Sequence, residues 1–176
     1  NSEYKNLRKQ NKVIIPKENI TLSNIYYSYP NSTLTALKNI NIKIKVNTTV
    51  GIVGPTGSGK TTTVDILLGL LKPNEGNLKI DDKIIGENDI KFWQSSIGYV
   101  PQNTFLADDT VAANIAFGYE SKDINFNDIE RAAKIANLHN FVENDLPLKY
   151  NSIVGERGVR LSGGQMQRIG IARALY

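Results

Sequence analysis

The 176-residue sequence has no cysteine and a single histidine, methionine and tryptophan. Without cysteine there is no disulfide framework and no thiolate metal site. His139 alone cannot build a histidine metal cluster. Long apolar runs are also missing. The longest, Ile66–Leu71, contains Gly69 and falls far short of the ~20 residues a membrane-spanning helix needs. The opening residues, NSEYKNLRKQNK, do not read as a secretory leader, so the sequons at Asn31 and Asn47 are expected to be accidental. Charge of one sign is weak: 21 Lys and Arg stand against 17 Asp and Glu, a net +4. Apart from a small cluster from Lys5 to Lys17 these charges are scattered, which fits solvated surface and not a nucleic-acid-binding face. Internal repeats, low-complexity tracts and heptads are absent. What remains is 40% apolar and 22% charged, the composition of an ordinary folded domain.

Residues 1–17 are polar and read as a linker or tail. From Ile20 the chain alternates as a strand through Leu22 towards Tyr26–Tyr29, and Pro30-Asn31-Ser32 signals a turn. Ile40, Ile42, Ile44 and Val46 alternate with Asn and Lys, predicting a half-buried strand. Thr48–Val53 is short and β-branched, predicting a buried parallel strand. A helix is predicted over about Lys60–Leu71, with Val64, Leu67, Leu68 and Leu71 on one face. Gly76–Ile80 and Lys83–Ile85 flank Asp81-Asp82 as a hairpin. Ile97–Val100 reads as a further strand, Thr110–Phe117 and Asn127–Asn137 as helices, and Ser162 opens a last helix. The pattern is α/β with an antiparallel start.

Residues 54–61 read Gly54-Pro55-Thr56-Gly57-Ser58-Gly59-Lys60-Thr61, which fits G-x-x-x-x-G-K-[ST] at every fixed position. Gly57 and Gly59 let the backbone curl so that successive N–H groups face phosphate oxygens. The following helix aims its partial positive charge at the same point. Lys60 brings a full charge to the β- and γ-phosphates, Thr61 offers a hydroxyl to Mg²⁺, and Thr62 is a further donor to the α-phosphate. The loop indicates a nucleoside triphosphate with Mg²⁺. By itself it does not choose among kinases, GTPases and ATPases.

A second glycine motif, Leu161-Ser162-Gly163-Gly164-Gln165, precedes MQRIGIARAL. Ser162 is a good helix N-cap. Two glycines in a first turn cost helix stability, ~1 kcal/mol each against alanine, so something should compensate. Bare N–H groups, a hydroxyl and a helix dipole together make a second anion site.

With both motifs, the sequence resembles the ATP-binding domain of ABC transporters, and Leu161–Gln165 matches that family's signature at all its positions. The resemblance implies a P-loop NTPase core, an antiparallel β subdomain and an α-helical subdomain carrying the signature. It implies head-to-tail pairing with a second such domain, as a homo- or heterodimer. Each ATP would lie between one phosphate loop and the partner's Leu161–Gln165. Tyr29 looks like the family's adenine-stacking aromatic, with Tyr27 as rival. Gln102 looks like the glutamine that senses Mg²⁺ and the attacking water. Val154-Gly155-Glu156-Arg157-Gly158 resembles the exporter segment that touches the coupling helices of the transmembrane domain. The 105–118 stretch resembles that of flippases for lipids and lipid-linked oligosaccharides. These likenesses place the domain at the cytoplasmic face of the cell membrane, with ATP and Mg²⁺ as cofactors and no nucleic-acid partner.

The resemblance further implies that the family continues past Tyr176 with a strand ending in Asp-Glu, the glutamate being the general base. The expected organisation is therefore 1–17 as linker or tail and 18–176 as an ATP-binding domain lacking its C-terminal core strands, inactive alone. A DNA-maintenance ATPase would place a long coiled coil between the two motifs, for which the spacing leaves no room. A kinase or GTPase would not need the signature. A soluble translation-type ATPase with tandem domains stays open, against the exporter-like Glu156 segment.

Overall fold

A computed structural model describes residues 13–156 and 159–176. The first twelve residues of the expected linker, and Arg157 and Gly158 of the Glu156 segment, lie outside the described residues. The chain divides into two compact units, residues 1–97 and 98–176.

The first unit is built on a four-stranded antiparallel sheet ordered β2-β1-β3-β4: β1 is Asn19–Ser28, β2 Thr35–Lys45, β3 Glu75–Ile80 and β4 Lys83–Ile84. Ile20, Leu22 and Ile25 of β1 face Ile44, Ile42 and Ile40 of β2, as the alternation requires. The register shifts between Leu22 and Ile25, where Asn24 has φ 51°. The β3–β4 turn is Asp81-Asp82, both with positive φ (49° and 65°), the geometry of a two-residue hairpin. Asp81 does more than turn the chain. Its carboxylate accepts the N–H groups of Lys17, Glu18 and Asn19 at 2.7, 2.8 and 2.9 Å, and these bonds hold its pKa below the usual value. Ile14 N–H also donates to Phe92 O, so the chain is tied to this unit from Ile14 onward. The sequons gain a physical reason: Asn31 and Asn47 both occupy left-handed turn positions, which asparagine tolerates.

Helix α1 spans Lys60–Leu67 and α2 spans Glu87–Gln94. Leu22, Ile25, Tyr27, Leu37, Ile66, Leu78, Ile80 and Trp93 form the core between sheet and helices. Helix α1 stops earlier than expected because Gly69 turns left-handed (φ 69°) and Leu70 N–H closes back onto Asp65 O. Trp93 Nε1 and Gln94 Nε2 then donate to Leu67 O and Gly69 O. The buried residues of α1 are Thr62, Thr63 and Ile66, while Leu67 and Leu71 of the expected apolar face pack partly buried against the core. The threonines can face inward because their hydroxyls are satisfied, Thr62 by Tyr29 and Thr63 by Gly59 O.

Two expected strands are corrected. Residues 48–53 and 97–100 join no sheet. Val50 is 50% and Val53 92% exposed, the opposite of a buried parallel strand. A strand exists only where a neighbour takes its N–H and C=O groups, and every strand pair formed among the described residues is antiparallel and uses other segments.

The second unit is mostly helical: α3 is Val111–Ile115, α4 Phe126–Ile135, α5 His139–Asp145 and α6 Gly163–Leu175, with a two-stranded pair β5 (Asp109–Thr110) and β6 (Ile153–Val154). Its core joins Val111, Ile115, Ile129, Leu138, Val142, Val154 and Ile169. Helices α2 and α5 were not foreseen; both are short, and α5 has no capping side chain. His139 opens α5 and its Nδ1 meets Tyr150 Oη at 2.8 Å, a structural tie within this unit. Burial pushes the Tyr150 phenol up to about 12.

Candidate functional site

Residues 54–59 leave no element to their side chains. Their shape is set by glycine. Gly57 and Gly59 have φ of 82° and 83°, where a side chain is strained. Gly59 is also packed tight: a Cβ there would come within 2.5 Å of Leu37 Cδ2 and 2.9 Å of Ala36 O. Alanine at this position would therefore push the loop off β2. Gly59 is the N-cap of α1 and offers no side-chain cap. The first-turn N–H groups have no intrahelical acceptor by the geometry of any α-helix, and they open towards the loop. Lys60 Nζ arches back and donates to Gly54 O at 2.9 Å and Pro55 O at 2.7 Å, with one of its three donors left over.

Tyr29, Ala36, Thr56, Gly57, Gly59, Lys60, Thr61 and Thr62 line a cavity of about 340 Å³. An ammonium, three threonine hydroxyls, open backbone N–H groups and one aromatic ring make a donor set for a polyanion carrying a flat base. No carboxylate lines the cavity to repel it. The residues present therefore fit a nucleoside triphosphate. Tyr29 stands at this wall, 43% exposed, whereas Tyr27 is 7% exposed within the core. Gly54, Pro55, Thr56 and Ser58 lie open to solvent along the loop.

The second glycine motif sits in the other unit, at the start of α6. Ser162 Oγ accepts Gln165 N–H at 3.2 Å, and Gln165 Oε1 accepts Ser162 N–H at 2.7 Å. This is a reciprocal capping box, legible in the S-x-x-Q spacing but expected only as a serine cap. Gly163 and Gly164 are exposed and do not have positive φ, and a Cβ at either would meet nothing within 4 Å. Nothing within the fold requires glycine there. Leu161 packs against the unit's core. Gln102 is exposed, also in this unit, as is Glu156.

Two residues that carry helix α6 have no local sequence signal. Asn114 is fully buried; its Oδ1 accepts Ala107 N–H at 2.9 Å and its Nδ2 donates to Ala107 O and Thr110 O at 3.0 and 3.1 Å. Arg173 of α6 donates from Nε to Asn114 O at 2.9 Å and from Nη2 to Phe105 O at 3.1 Å, and its guanidinium lies 4.7 Å from the Phe117 ring centre. Burial lowers its pKa. The stretch after Gln102 also crosses α6 closely: a Cβ on Gly170 would fall 2.7 Å from Thr104 Oγ1. None of these links has a local sequence signal. A hollow on the outer face of α4, lined by Asn127, Glu130, Arg131, Lys134 and Ile135, has its charges already paired as Asp128–Arg131 and Glu130–Lys134.

Comparison with known proteins agrees with this geometry. The family described as "ABC transporter" matches residues 37–176. The chain is 42% identical over 158 residues to ATP-binding cassette sub-family B member 5 of Mus musculus, covering 89% of this chain and 12% of that protein. It is 42% identical over 167 residues to the ATP-dependent lipid A-core flippase of Saccharophagus degradans, covering 95% and 28%. A solved bacterial Atm1-family ABC exporter with ATP bound superposes with a TM-score of 0.81 at 33% identity, over 94% of this chain and 29% of that one. The chain thus spans between an eighth and rather more than a quarter of the length of these relatives. A phosphate-loop cradle in one unit, a glycine-opened helix in the other and a family match over most of the chain agree: it belongs to the ABC transporter family, as an ATP-binding domain.

Proposed function

We propose that residues 18–176 of this chain are the ATP-binding domain of an ABC exporter, which binds MgATP in its 54–62 cradle and offers Leu161–Gln165 to the nucleotide held by a second such domain. The observation that carries this reading is the pair of unneeded glycines at the start of α6. Their Cβ positions are open and their backbone is one alanine adopts. Bare N–H groups there serve something that approaches from outside the fold. A second anion end in another unit from the phosphate cradle is what head-to-tail pairing needs.

Within the cradle, Lys60 supplies the charge for the terminal phosphates and the α1 N–H groups supply fixed dipoles. Among the described residues no group of three His, Cys, Asp or Glu could hold a metal ion. Mg²⁺ therefore needs the Thr61 hydroxyl together with phosphate oxygens and water, an oxygen set that suits this ion. Gln102 is the amide assigned to Mg²⁺ and the attacking water, since it both donates and accepts. ATP, when bound, supplies the phosphoanhydride whose hydrolysis drives the cycle. Tyr29 stacks on the base, and the Glu156 region meets a transmembrane domain at the cytoplasmic membrane face. Residues 1–17 act as the link to that domain. No helix among the described residues is long and apolar enough to cross a membrane, so this role requires a membrane part elsewhere. The family likeness to a lipid A flippase and to sub-family B transporters supports an exporter.

Lys60→Ala tests the reading. Removing the ammonium should abolish binding of a fluorescent ATP analogue to the full-length protein. Wild-type affinity in that variant would refute the phosphate-loop assignment.

A further inference from the structure

Tyr29 is held with more care than a stacking ring needs. Its backbone is pinned on both sides: Ser28 N–H donates to Asn74 Oδ1 at 2.7 Å, and Ser32 N–H donates to Tyr29 O at 3.1 Å. Its ring stands edge-on to buried Tyr27, with centroids 5.1 Å apart and planes at 84°. Its hydroxyl reaches Thr62 Oγ1 at 2.9 Å, across 33 residues of sequence. Three constraints thus fix one half-exposed side chain. Only the last requires tyrosine; phenylalanine would satisfy the others.

Thr62 is 5% exposed and its position on α1 is fixed by the helix. Its neighbour Thr63 gives its hydroxyl hydrogen to Gly59 O at 2.9 Å, the usual bond of a helical threonine. Thr62 instead meets the phenol. Either hydroxyl can donate across this contact, and the phenol, the stronger acid of the two, is the better donor. With the phenol donating, the Thr62 hydrogen is free to be donated into the cavity that both residues line.

We infer that Tyr29 is a positioning residue for Thr62: its phenol donates to Thr62 Oγ1 and so directs the Thr62 hydroxyl hydrogen at the nucleotide's α-phosphate. The base platform and a phosphate donor are thereby one hydrogen-bonded unit. Donation into an oxygen also strengthens the bond that oxygen's own hydrogen makes. This rests on the nucleotide-binding reading above and adds a role that stacking alone does not supply.

The test is a double-mutant cycle on MgADP affinity, measured by titration calorimetry on the full-length protein, since ADP keeps the α-phosphate and is not turned over. Tyr29→Phe keeps the ring and loses the donor. It should weaken binding about two- to tenfold, the worth of one neutral hydrogen bond. In a Thr62→Val background the same change should cost less than about twofold, because its acceptor is gone. Thr62→Ser, which restores a hydroxyl, should restore the wild-type cost. An equal cost in both backgrounds, or wild-type affinity in Tyr29→Phe, overturns the inference while leaving nucleotide binding intact. If Thr62→Val does not fold, Tyr29→Phe decides alone: it keeps the ring and removes only the donor, so wild-type affinity overturns the inference. Absence of MgADP binding by the wild type would remove the inference together with the reading it rests on, and Lys60→Ala separates that case.

Discussion

Gly164→Ala separates what the fold needs from what the ligand needs. The residue lies in the first turn of α6, with no positive φ, and the added methyl meets nothing within 4 Å. No clash or backbone strain opposes the change. Alanine is favoured over glycine in a helix by up to ~1 kcal/mol, and less in a first turn that is already capped by Ser162 and Gln165. In a unit of this size ~1 kcal/mol corresponds to about 4–8 °C in melting temperature. Unfolding of the ATP-binding domain, followed by circular dichroism, should therefore occur at the same temperature or a few degrees higher. On the proposed pairing, the methyl covers the N–H groups offered to the other domain's nucleotide, so ATP-driven pairing of the full-length protein, followed by sedimentation, should weaken or disappear. Two results would refute the reasoning. A lower melting temperature would mean that Gly164 is needed inside the fold. Undiminished pairing would mean that the glycines serve no outside ligand.

Two further outcomes test the scaffold around the site. Asp81→Asn keeps the left-handed turn and removes the charge that accepts three N–H groups. The folded pKa of Asp81 lies below its unfolded value, so its stabilisation is present above the ordinary carboxylate range and is lost as pH falls through the folded value. The wild type should melt higher than the variant at pH 7, and the two melting temperatures should converge below about pH 4. A constant gap across that range would show that the charge is not involved. Asn114→Ala leaves the Ala107 N–H without its acceptor and removes the Nδ2 bonds to Ala107 O and Thr110 O, while the Arg173 bond to the Asn114 backbone carbonyl stays. With ~1–3 kcal/mol for the N–H left unpaired and ~1 kcal/mol for each lost hydrogen bond, the loss should reach about 3 kcal/mol or more. Urea unfolding that shows a loss below about 1 kcal/mol would count against the Asn114 amide as the anchor of the 107–110 turn.

Much of the site was legible because its cues are local. The glycine spacing predicts a curled loop, and both Gly57 and Gly59 take the left-handed backbone. Ser162 was read as a cap and is one, while Gln165 completes the box at a spacing the sequence displays. Asp81-Asp82 was read as a hairpin turn and has its two positive φ angles. The strands of β1 and β2 followed from alternation, since each buries one face. Helix α1 follows the loop as the sequence predicts, and Leu67 and Leu71 of its expected face pack against the core, but Thr62, Thr63 and Ile66 are buried more deeply. Thr62 and Thr63 scored as polar, and only their hydrogen-bond partners, Tyr29 and Gly59 O, make them tolerable inside.

The sequence by itself determined the glycine loop at 54–59, the capped helix after Ser162 and the order of most elements, because turns, caps and periodicities are set by residues within a few positions of one another. Only the tertiary structure decided that Tyr29 and not Tyr27 lines the cavity, and that its phenol meets Thr62. It alone showed residues 48–53 and 97–100 outside any sheet, and Arg173 tied to Asn114 and the Phe105 carbonyl. Each of these depends on which distant segments supply a neighbour. Burial, strand pairing and hydrogen-bond satisfaction are properties of the partner as much as of the residue, and no single stretch of chain carries its partner's position.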